Sequence, residues 1–97
     1  MANARTANKH RGTGGSQDLV TLSLVRRLLA DGVARDARVG AGLSVREVAR
    51  SAGVSPAGWS RWERGQRSPR AAAAMTAAPA IMDLLKAADL MAQGTDQ

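Results

Sequence analysis

Six arginines, Arg46, Arg50, Arg61, Arg64, Arg67 and Arg70, fall between positions 46 and 70 of a 97-residue chain, opposed there only by Glu47 and Glu63. That segment holds +4 of the chain's formal +6. A guanidinium is permanently charged and presents its donors as a planar fork, so the chemistry of such a cluster is pairing with oxyanions. Taken singly, an arginine reads as solvated surface charge. Six in so short a stretch point to a polyanion, most simply nucleic acid. The remaining charge is uneven: +3 over residues 1–17 from Arg5, Lys9 and Arg11, +1 over 18–45, and −2 over 71–97, where Lys86 faces Asp83, Asp89 and Asp96. A basic centre and an acidic end imply one face for nucleic acid and another for a different contact.

Other chemistries lack their residues. With no cysteine there is no disulfide framework, no thiolate metal site and no thiol nucleophile. His10 is the only histidine and lies in a polar stretch, without partners for metal binding or proton transfer. No paired carboxylates or nucleophile–base pair occur, and Glu63, among arginines, reads as an ion pair or a loop cap. The expectation is a non-enzyme with no cofactor, no metal and no small-molecule ligand. No run of eighteen apolar residues exists, and the N-terminus lacks the apolar stretch of a signal peptide. The expected location is the cytoplasm, at the nucleoid, without membrane contact.

The elements that must position the arginines follow from periodicity and punctuation. At this length there is one domain, burying only about 60 to 65% of the surface its unfolded chain exposes. No alternating β-branched pattern appears, so the fold class expected is all-α. Residues 1–17 mix Asn, Thr and Gly with basic residues and read as a flexible basic arm. Leu22, Val25, Leu29, Val33 and Ala37 lay an apolar stripe on a helix capped by Ser16 or Asp18, either continuous or broken at Gly32. Ser44 with Glu47 three residues on is a capping box for a helix from about Val45 to Ala52. Gly53 makes a turn, Ser55 caps and Pro56 opens the next helix, which ends near Arg64 ahead of Gly65. Arg70 to Ala78 reads as an alanine-rich helix, with Pro79 opening a final amphipathic one. In that last helix Ile81, Leu84, Leu85, Ala88 and Met91 form a stripe that serves core packing, the interface between two copies, or both. The domain expected is 18–93, with a tail at 94–97.

Two short helices joined at Gly53, the second starting at Ser55, are a helix-turn-helix on spacing alone. Val48 and Ala49 face inward on the first, Val54 plugs the turn, and Trp59 packs on the inner face of the second. Trp62 packs likewise, partly open to solvent. Ala57, Ser60, Arg61 and Arg64 are left facing outward. Leu43-Ser44-Val45-Arg46-Glu47-Val48-Ala49, Gly53-Val54-Ser55, Ser60-Arg61-Trp62-Glu63-Arg64-Gly65 and Pro69 together resemble the lambda-repressor-like (XRE-type) helix-turn-helix family over residues 43–70.

The resemblance implies a five-helix domain, with Leu22 to Ala37 as the first helix, binding double-stranded DNA as a homodimer. It also implies that the Pro56 helix enters the major groove with Ser55, Pro56, Ala57, Ser60 and Arg61 toward the bases. Arg61 is the one long donor in that set, and a bidentate contact to guanine discriminates by roughly 1 to 3 kcal/mol. Pro56 and Ala57 depart from the polar side chains usual there. Phosphate contacts carry over to Ser44, Val45 and Arg46 at a helix N-terminus, and to Arg64, Gln66, Arg67, Ser68 and Arg70 in the following loop. The arm at 1–17 is either a DNA contact or a plain terminus. Three roles stay open: a transcriptional repressor of phage or prophage type, an antitoxin whose acidic C-terminal helix holds a protein partner, and a helical interaction module without specific DNA reading.

Overall fold

The computed structural model describes residues 18–95, and the basic arm lies outside them. The described residues form five helices and no strand: α1 (18–30), α2 (Val33–Gly40), α3 (Val45–Ala52), α4 (Pro56–Glu63) and α5 (Ala71–Thr95). The fold is all-α, as the periodicity predicts.

The stripe from Leu22 to Ala37 resolves into two helices. Gly32, at φ 84°, takes the left-handed backbone that other residues avoid, and the chain turns there. The break also shifts the helical phase: Val25 and Leu29 are buried, but Val33 is exposed and Ala34 and Ala37 take its place in the core. Of the two expected caps of α1, Ser16 lies outside the described residues.

Pro79 does not open a helix. It sits inside α5, which runs without interruption from the alanine-rich segment to Thr95. A proline there removes one N–H and crowds the carbonyl four residues back, a cost of about 3 kcal/mol. Two things offset it. Pro79 is exposed and Met75 only half-buried, so the released carbonyl is on the solvent side. On the opposite side Ala74, Ala77 and Ala78 before the proline, and Ala80, Ile81 and Leu84 around and after it, are buried against the rest of the chain and hold both halves in line. By length and composition α5 could cross a membrane. Its buried face is instead the domain's core, packed on α2 and α3.

More than half of the buried apolar residues are alanines: Ala34, Ala37, Ala49, Ala52, Ala74, Ala77, Ala78 and Ala80. Small side chains let the helices approach closely. The bulk is supplied by Trp59, Trp62, Val25, Leu29, Ile81 and Leu84.

Candidate nucleic-acid interface

The segment from Ser44 to Arg70 is built by local rules. Ser44 and Glu47 form the expected box: Ser44 Oγ accepts from the Glu47 N–H at 3.0 Å, and Glu47 Oε1 accepts from the Ser44 N–H at 2.9 Å. These bonds hold the Glu47 carboxyl below its ordinary pKa. At the other end of α3, Gly53 takes φ 74°, and the Val54 N–H donates back to the Ala49 carbonyl at 3.0 Å. A Cβ on Gly53 would lie 3.2 Å from Thr76 Cγ2 of α5, so the turn is fixed from both sides. Ser55 then caps α4 by accepting from the Gly58 N–H at 3.0 Å. A side chain on Gly58 would come within 3.1 Å of that same Ser55 Oγ. Glycine there keeps the cap tight. The end of α4 is closed by Gln66 N–H to the Arg61 carbonyl at 2.9 Å and Gly65 N–H to the Trp62 carbonyl at 3.1 Å.

Trp59 and Trp62 form the inner face of α4 with ring centroids 5.7 Å apart and planes tilted by 56°. Trp62 is only 6% exposed, more enclosed than its spacing alone suggested. Below them lies an ion pair across 25 residues of sequence. Arg38 of α2 donates from Nε to Glu63 Oε2 at 2.7 Å and from Nη2 to Oε1 at 2.9 Å. Its Nη1 reaches the Leu43 carbonyl at 3.0 Å, and Trp59 Nε1 donates to Glu63 as well. The side chains of Arg38 and Glu63 are 13% and 5% exposed. Hydrogen bonding to Glu63 pushes the Arg38 guanidinium above its ordinary pKa, against the opposing effect of burial. One guanidinium therefore ties α2, the approach to the α3 cap and the last turn of α4 together. A second support comes from α1, where Arg26 Nε donates to the carbonyl of buried Pro69 at 3.0 Å. That bond holds the loop bearing Arg67, Ser68 and Arg70.

The electrostatic consequence concerns the two carboxylates of the segment. Glu47 is bound into the α3 cap and Glu63 is under Arg38. All six arginines of 46–70 are exposed, and none of their guanidiniums has an ion pair or hydrogen bond among the described residues. The cluster is thus free to meet an anion.

Of the residues expected to face bases, Ser55, Pro56, Ala57 and Arg61 are exposed and Ser60 is half-buried, all at or within α4. Of those expected at phosphates, Ser44, Arg46, Arg64, Gln66, Arg67, Ser68 and Arg70 are exposed, and Val45 is half-buried against the core. The hydroxyl oxygens of Ser44 and Ser55 are occupied as caps. Among the stripe residues of α5, Ile81 and Leu84 are 0% and 3% exposed, Leu85 and Ala88 are half-buried, and Met91 is 52% exposed. Ile81 and Leu84 are core residues of the single chain. Sequence reasoning missed Arg38 and Arg26. Glu63 was legible as half of an ion pair, but its partner is a distant arginine rather than a neighbour, and no spacing rule joins positions 38 and 63.

A family model described as a helix-turn-helix domain matches residues 32–92, more than half of the chain. No curated protein and no solved structure matches the chain significantly. The matched span takes in α2, α3 and α4 and most of α5, including the ion pair that fixes α4 and all six exposed arginines. With this match and the α3–turn–α4 geometry, the chain belongs to the helix-turn-helix domain family and is a DNA-binding regulator of that broad kind.

Proposed function

We propose that this protein is a sequence-specific transcriptional repressor that binds operator DNA as a homodimer, with α4 in the major groove. The observation that carries the reading is the cluster of six exposed, unpaired guanidiniums around α3 and α4, whose only local carboxylates are engaged elsewhere. Arg61 reads a base, and Ser55, Pro56, Ala57 and Ser60 shape the surface that meets the groove floor. With Pro56 and Ala57 offering no side-chain donors, part of the specificity comes from DNA shape and from half-site spacing. Ser44, Val45, Arg46, Arg64, Gln66, Arg67, Ser68 and Arg70 contact phosphates. If six of these residues neutralise a phosphate each, affinity falls about a thousandfold between 50 and 200 mM salt. Repression follows from occupying promoter DNA, at the nucleoid in the cytoplasm.

Since Ile81 and Leu84 are enclosed, the contact between copies falls to Leu85, Ala88 and Met91, with exposed Leu90 alongside. Gly40, Ala88, Leu90 and Met91 line an open apolar groove of about 510 Å³ at this end of α5.

The test is selection of bound fragments from a random duplex pool at physiological salt. Recovery of a palindromic site is the expected result, and Arg61→Ala loses preference at one position of each half-site, by a factor of about 5 to 150. Binding that is salt-sensitive but unselective overturns the repressor reading. The low-donor surface at Pro56, Ala57 and Gly58 favours one second reading, a helical interaction module, which no duplex binding at low salt would support.

A further inference from the structure

Arg46 and Arg50 stand one turn apart on the exposed face of α3. With Val54 and Pro56 they line an open groove of about 320 Å³ where α3 meets the first turn of α4. Neither guanidinium has an ion pair or hydrogen bond among the described residues. Glu47 lies between them in sequence but is bound to the Ser44 N–H. Like charges at i and i+4 oppose helix formation, so folding alone does not account for the pair. The pair also borders the poorest stretch of α4: Pro56 has no N–H, and Ala57 and Gly58 have no side-chain donor.

We infer that Arg46 and Arg50 form a two-guanidinium clamp for a single DNA backbone phosphate, seated in the groove between α3 and the first turn of α4. Side chains one helical turn apart have Cβ atoms about 5 to 6 Å apart. Two long guanidiniums rooted at that distance converge on one phosphate and donate to its two non-bridging oxygens. The apolar wall of Val54 and Pro56 excludes some water from the contact, which strengthens it. Held there, the phosphate sets how deeply the first turn of α4 enters the groove, and so supplies by position what that turn lacks in donors. Arg46 gains a partner by this inference, and Arg50 gains a function. The clamp rests on the DNA-binding reading.

The test titrates fluorescently labelled duplexes, one of random sequence and one carrying a selected site, with the full chain between 50 and 200 mM salt. The variants are Arg46→Ala/Arg50→Ala, Arg46→Lys/Arg50→Lys and, as a distant charge control, Lys86→Ala on α5. Alanine is the better helix former at exposed positions, and circular dichroism of each variant checks that it folds. A clamp on one phosphate predicts that the double alanine variant lowers the slope of log affinity against log salt by about 0.9. It also predicts a fold-loss on both duplexes, at least as large on the selected one, with the slope restored in the lysine variant and unchanged in the control. An unchanged slope, or a fall of about 1.8 that signals two separate phosphates, overturns the clamp while leaving DNA binding intact. A loss confined to the selected duplex overturns it in favour of a base contact. Failure of the wild-type chain to bind either duplex at 50 mM salt overturns the DNA reading itself and the clamp with it.

Discussion

Glu63 accepts from both forks of Arg38 and from the indole of Trp59 while only 5% of its side chain is exposed. Removing one member of such a pair strands the other as an uncompensated buried charge, which costs about 3 to 5 kcal/mol. Arg38→Ala is therefore expected to destabilise the fold by that amount in urea unfolding. The double replacement Arg38→Met/Glu63→Leu costs less than Arg38→Ala alone, because no charge is left behind. A double variant as unstable as the sum of its singles would show that the pair's attraction is not what holds α4. The caps at Ser44 and Ser55 were legible because both partners lie within three residues, under rules of local geometry. Arg38 was not, because its partner is set by how α2 and α4 pack.

At the scale of elements, α3 and α4 match their expected bounds closely, α1 and α2 follow the alternative in which Gly32 breaks the stripe, and α5 runs through the helix start expected at Pro79. The short helices are punctuated by Ser, Pro and Gly with unambiguous roles. The longer segments are decided by packing. Gly32 splits an apolar stripe that continues on paper, and Pro79 fails to split α5 because buried alanines and Ile81 lock both sides of it. The count of five implied by the resemblance holds, with the stripe divided at Gly32 and the two expected C-terminal helices joined into α5. The Glu47 carboxyl is held below its ordinary pKa by Ser44, so its charged form stabilises the fold above the usual carboxylate range, and that contribution is lost as pH falls through the lowered value. Glu47→Gln keeps the reciprocal hydrogen bonds but not the charge near the helix N-terminus. Its melting temperature is expected to lie below wild type at neutral pH, with the gap closing on acidification. A gap that is constant with pH would assign the effect to shape rather than charge.

At the scale of the molecule, the six free guanidiniums and the exposed apolar end of α5 lie on different elements. Exposed arginines lie on α3, on α4 and in the loop held by Arg26, while Leu90 and Met91 are exposed at the far end of α5. If that end joins two copies, Met91→Glu is expected to shift the protein toward monomer in analytical ultracentrifugation. It should leave the melting temperature of the single domain nearly unchanged, since Met91 is half exposed. An unaltered sedimentation coefficient, in a wild type that is dimeric, would move the contact elsewhere. The arginine cluster was legible as charge, but its freedom from ion pairing was not, because that depends on where the two carboxylates are tied. The chain has no tyrosine and no phenylalanine, and both tryptophans lie on the inner face of α4. All near-ultraviolet absorption and intrinsic fluorescence therefore come from the one helix proposed to enter DNA. The protein carries its own optical label there, and any change in emission on adding duplex or denaturant reports on α4 and its immediate surroundings, with no background from the other four helices.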